Sequence, residues 1–125
     1  GADAVSPLMY MTPVGDQFPS VMSWKDKVGE MAYREKSYPL GSFFQSDIIM
    51  AAKMMSKDVY NNVDYVFHQQ GEDLGWSANA TKNNFSLFSA SYIYAPHIMS
   101  PAHLDEYKRN GDKRSSEFLE NLLKV

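Results

Sequence analysis

The chain predicts an α+β fold. About four helices and a short antiparallel meander of two or three strands follow an irregular, proline-spaced N-terminal arm. Three observations carry this expectation. In 125 residues, 44% are apolar and 14% aromatic, enough for a single domain to close a core without metal or disulfide staples. The hydrophobic period is helical before residue 60, turns to two after Val63, and becomes helical again after Ser100. Pro7, Pro13 and Pro19 recur every six residues, a spacing that disfavours both helix and ladder at the start of the chain.

Residues 1–22 read as an extended arm and residues 23–125 as one α+β domain. The arm carries Leu8, Tyr10, Met11, Val14 and Phe18, and a solvated tail is poor in such residues. It therefore lies either on its own domain or in a partner's groove, and in the second case these five are the partner-binding residues. Ser23 with Asp26 forms a variant capping box. Trp24, Val28, Met31 and Ala32 then fall on one helical face, weakened by Gly29. Pro39 and Gly41 end that helix. A second one is expected from about Ser42 to Tyr60, rich enough in apolar residues to be the central helix, contacted on two sides.

Val63, Tyr65 and Phe67 alternate with Asp64 and His68, which reads as a strand stopped by Gly71. Gly71 to Gly75 reads as a turn, Trp76 as a short strand or bend, and Asn79 to Asn84 as a polar loop. Phe85 to Tyr94 is the clearest strand, apolar on both faces and so expected inside a sheet. Ser100-Pro101 starts a helix that stops at Asn110-Gly111. Asp112 or Ser115 caps a last helix with the stripe Phe118, Leu119, Leu122, Leu123 and Val125.

Several function classes are excluded. With no cysteine there is no disulfide, thiolate nucleophile or Cys-ligated metal. A net charge of −3 gives no field that calls for nucleic acid. The longest helical apolar stretch, Ile48 to Met55, falls far short of the ~20 residues a bilayer span needs, so any association with a membrane complex is peripheral. The start Gly-Ala-Asp-Ala, without a basic region, reads as a processed mature chain, organellar or extracytoplasmic.

No catalytic residue, metal or cofactor is expected. The phosphate-binding, dinucleotide and G-x-S-x-G motifs are all missing. Asp64 and His68 are too far apart along a strand to bond. His103, Glu106 and Tyr107, with His97, match no zinc signature. Lys108, Arg109, Lys113 and Arg114 cluster at a helix junction, diluted by Asp105, Glu106 and Asp112. The sequons at Asn79 and Asn84 are weak evidence, since roughly one such match arises by chance at this composition.

Aromatic and methionine content is the best positive signal. Eight methionines supply adaptable apolar surface, and Tyr65, Trp76, Tyr92 and Tyr94 fall in the strand region, where they could line a pocket. Two readings follow. The chain is a non-catalytic interaction protein, an accessory subunit held in a larger assembly by its arm and a Tyr/Met-rich surface. Alternatively it is a sensor-like small-molecule module with Tyr65, Trp76, Tyr92 and Tyr94 around a ligand. The run Ile48 to Ser77, read as helix, strand and Gly-bounded turn, resembles in shape the helix-then-hairpin sensor domains of the PAS or Cache type. It covers under a third of the chain, and no motif in it transfers residue by residue.

Overall fold

The computed structural model describes residues 1–9, 20–110 and 113–125, with only the backbone considered at 110 and 113–115. The described residues form an α+β domain with four helices. Its principal sheet is mixed, with strand order β4-β6-β1-β5, rather than the expected antiparallel meander. β1 (Ala4–Leu8) runs parallel to β6 (Leu87–Tyr94), and β4 (Phe43–Gln45) and β5 (Met54–Met55) are its short antiparallel edges. A separate hairpin joins β2 (Met22–Trp24) to β3 (Ala32–Arg34).

The placement of β1 corrects the reading of residues 1–22 as free of ladders. Ala4 to Leu8 lie inside the sheet, with Ala4 and Leu8 buried. An inner strand tolerates Pro7 because the register with β6 shifts between Pro7 and Leu8, and a missing donor is accepted at such an irregularity. Tyr10, Met11, Val14 and Phe18 lie outside the described residues.

The first expected helix is a hairpin. Met22 and Trp24 are both buried on one side of β2, the period of a strand, and they pair with Arg34 and Ala32. Between them Lys25 N–H donates to the Met31 carbonyl, and Gly29 sits at φ +91°, a conformation other residues avoid. The acid that binds backbone here is Asp47, whose Oδ2 accepts from Trp24 N–H at 3.1 Å; Asp26 caps nothing.

The expected helix from Ser42 to Tyr60 is also replaced, mostly by β4, β5 and the chain between them. Aromatic and β-branched residues such as Phe43, Phe44, Ile48 and Ile49 favour extended backbone. Their apolar density serves two clusters rather than one helix: Ile49 joins Ala4, Trp76 and Leu87, and Ile48 joins Met22, Trp24 and Leu74. Only α1 (Lys57–Asn62) is helical. Ser56 caps it, its Oγ accepting from Val59 N–H at 3.3 Å.

The central helix is α2 (Glu72–Lys82), where a turn, a bend and a loop were expected. Glu72 and Asp73 in its first turn and Lys82 in its last suit the helix dipole. Leu74 to Ala78 are buried without interruption. On one side Trp76 and Ala80 pack with Ala4, Ile49 and Leu87 of the sheet cluster. On the other, Leu74 and Ala78 pack with Met22, Trp24 and Ala32 of the hairpin. Burying Trp76 alone contributes on the order of 4–6 kcal/mol before entropic costs.

The later elements follow the sequence. β6 is an inner strand, α3 (Pro101–Asn110) starts at the proline, and α4 (Lys113–Leu123) ends the fold. Ser100 Oγ accepts from His103 N–H at 3.2 Å. Phe118 stacks on Tyr94 beside Leu8 and Val21, whereas Leu119, Leu123 and Val125 of the expected stripe are exposed.

Where β1 meets β6, Asp3 Oδ2 accepts from Ser86 N–H at 2.7 Å and from Ser86 Oγ at 2.9 Å. These bonds, the backbone one foremost, hold the Asp3 carboxyl below its ordinary pKa. A depressed carboxyl stabilises the fold above the unfolded-state pKa, and that contribution is lost as pH falls through the folded one. Acid titration by circular dichroism is therefore expected to cost the parent chain stability below about pH 4, and Asp3→Asn is expected to remove that part of the slope.

Candidate functional site

The most unusual part of the structure is the segment linking α1 to α2, residues 63–71. Val63 is buried, and from there to Phe67 the backbone carries no helix or ladder. This corrects the strand expected at Val63 to Phe67: Asp64 to Phe67 are all exposed, and among the described residues they have no partner strand. The segment is a strap lying across α2 and ending on the β2–β3 hairpin.

Side chains pin its inner edge. Asn79 Nδ2 donates to the Asp64 carbonyl at 3.0 Å. The Val66 carbonyl lies directly over Gly75, where any Cβ would run into that oxygen, so α2 admits the strap only because residue 75 has no side chain. His68 Nε2–H donates to the Glu30 carbonyl at 2.6 Å, its Nδ1 accepts from Gln70 N–H at 3.0 Å, and its ring leans on Trp24. Gln70 imitates a strand: its Oε1 accepts from Ala32 N–H at 2.8 Å and its Nε2 donates to the Ala32 carbonyl at 3.1 Å.

The outer edge is bare. Among the described residues no N–H from Asp64 to Phe67 donates a hydrogen bond, and the Phe67 side chain is 94% exposed. Tyr65 and Val66 are also exposed, and Met31 sits across a shallow cleft from Phe67. A second apolar surface lies on the sheet face that carries Val5, Phe88 and Phe43. Phe43 stacks on Phe88 with centroids 4.9 Å apart, and Met54 beside them is 77% exposed.

Behind the strap is a buried ion pair. Lys53 Nζ bonds Asp73 Oδ1, and both side chains are almost wholly enclosed. The same ammonium donates to Tyr65 Oη at 3.3 Å and lies 5.3 Å and 5.1 Å from the ring centres of Tyr65 and Trp76. Lys53 thus ties the β5 approach, the strap and α2 together.

Of the four aromatics expected to line a ligand pocket, Tyr65 and Trp76 do meet, 6.3 Å apart, and Lys53 Nζ lies beside both rings. Trp76 belongs to a helix rather than a strand. Tyr94 is spent on Phe118, and Tyr92 faces solvent elsewhere. Leu8, expected on a partner, is buried with Val21 and Phe118 in its own core. Nothing in the spacing of Lys53 and Asp73 advertised their pairing. Gly75 could have been noticed, as a glycine amid the helix-forming run Leu74–Lys82.

Among the described residues no three His, Asp or Glu side chains gather as metal ligands, and no helix is long and apolar enough to cross a membrane. Lys108 and Arg109 lie in the last turn of α3, where Arg109 Nε bonds the Asp105 carbonyl; the side chains of Lys113 and Arg114 fall outside the description. No family model, curated protein or solved structure matches this chain.

Removing one member of a buried ion pair strands the other charge, at about 3–5 kcal/mol. Urea denaturation of Lys53→Met is expected to show a loss of that size, and Lys53→Met/Asp73→Leu a smaller one. A Lys53→Met chain as stable as the parent would contradict the pairing.

Proposed function

We propose that this chain is a non-catalytic interaction protein, an accessory subunit of a larger assembly, and that its strap is the contact element. The observation that carries this reading is Phe67, 94% exposed on a segment without helix or ladder whose own N–H groups bond nothing within the described chain. A strand-like sequence left without a ladder among the described residues is the state a partner strand can complete. Backbone bonds to Asp64–Phe67 would give affinity, and Tyr65 or Phe67 in a partner's pocket would give specificity.

Fixing the strap in advance lowers the entropic cost of association. Gly75, His68 and Gln70 hold it before any partner arrives. The half-open sheet face around Phe43, Phe88 and Met54 supports the same reading, since contiguous exposed apolar surface marks interaction sites. Tyr10, Met11, Val14 and Phe18 extend the proposed contact set along the arm.

Phe67→Asp separates docking from folding, because a fully exposed side chain contributes little to stability. In cells that make the protein, the parent is expected to elute in an assembly well above 14.2 kDa. The Phe67→Asp chain, with an unchanged melting temperature, is expected to elute as a free monomer. Co-elution of the variant with the same assembly would overturn the strap as the contact.

A further inference from the structure

We infer that the cavity at the N-terminal end of α2 is a binding site for a small primary ammonium ion with a short apolar body. The site is independent of the strap's outer edge and is not the aromatic pocket expected on the strands. It has a volume of about 240 Å³, just under the roughly 300–1,000 Å³ of sites for drug-sized ligands. At the packing density of protein interiors, about 0.74, it holds roughly nine non-hydrogen atoms.

The ligand class follows from the walls. Met9, Met50, Leu74 and Met99 form an apolar, deformable lining, and unbranched thioethers adapt to a flexible alkyl chain. The polar groups are mostly acceptors. Asp73, buried to about nine-tenths, gives Oδ1 to Lys53, and Oδ2 has no partner within the described chain. Glu72, one residue earlier on the same helical turn, adds a second carboxylate. Lys53 balances one of these two charges, leaving about one negative charge at the cavity rim, where Glu72 is exposed.

Other polar groups leave that preference intact. Gln70 is committed to Ala32 through both ends of its amide, and Ser20 Oγ accepts from Met9 N–H at 3.0 Å. His97 lines the cavity with no hydrogen bond among the described residues, so a ring nitrogen is available to a ligand N–H. An anion would meet Glu72 and Asp73 directly, and a neutral alcohol would leave the charge unmatched. The first-turn amides of α2 favour an anion, but Glu72 and Asp73 already satisfy that field.

The test uses the full chain labelled with ¹³C at its methionine methyl groups, titrated with n-hexylammonium, n-hexanol and n-hexanoate. Support is a saturable shift of the Met9, Met50 and Met99 signals with the ammonium ion, with Met54 unmoved. Binding of hexanol or hexanoate is expected to be at least tenfold weaker. Glu72→Gln, at an exposed position that does not hold the fold, is expected to weaken the ammonium ion about tenfold and leave hexanol unaffected. Unsaturable or absent shifts, equal binding of the three probes, or a Glu72→Gln chain that binds the ammonium ion as tightly as the parent would each overturn the assignment.

Discussion

Two-sided burial of α2 is the constraint on which the rest of this structure depends. The helix is wedged between the sheet cluster of Ala4, Ile49 and Leu87 and the hairpin cluster of Met22, Trp24 and Ala32. It fits because Gly75, Ser77, Ala78 and Ala80 are small, leaving Trp76 toward the sheet and Leu74 toward the hairpin as its bulky buried residues. Ser77 joins it to the chain between β4 and β5: its Oγ accepts from Ile49 N–H at 3.1 Å and donates to the Ile49 carbonyl at 3.2 Å. Those bonds satisfy backbone groups that no ladder reaches, and an unsatisfied buried group costs about 1–3 kcal/mol. Through Gly75 and Asp73 the same helix also positions the strap and Lys53.

Legibility in the sequence tracks how local each determinant is. β6 was readable because a β-branched and aromatic run apolar on both faces is a local signal, and α3 because Ser100-Pro101 is a local start. α2 was not readable, since a helix buried all round shows no amphipathic stripe and its glycine-bounded opening looks like a turn. The hairpin and β4 were misassigned because apolar residues spaced for a helix also suit short strands, and tertiary pairing with β6 and Ile48 decided between them. β1 was hidden by Pro7, tolerated only where the register shifts. Of the candidate site, Tyr65 and Phe67 were visible as apolar residues. The lysine that ties Tyr65 to Asp73 was not, because that pairing spans 20 residues and exists only in three dimensions.

The strap is one of several places where local preference and global fold disagree. Its sequence asks for a ladder, and among the described residues the domain supplies none. Here the conflict leaves a backbone edge without a ladder and a bare phenylalanine, while side-chain bonds to Asp64, Ala32 and Glu30 occupy the inner edge.

Residue-resolved hydrogen exchange on the isolated chain tests this account most directly. A helix buried on two sides beside an unladdered strap predicts slow exchange from Trp76 to Ala80 and near-unprotected exchange from Asp64 to Phe67. Strong protection of Asp64–Phe67 in the free monomer would mean that the chain completes its own ladder there, and fast exchange in α2 would remove the anchor on which the strap rests. Either result would contradict the account.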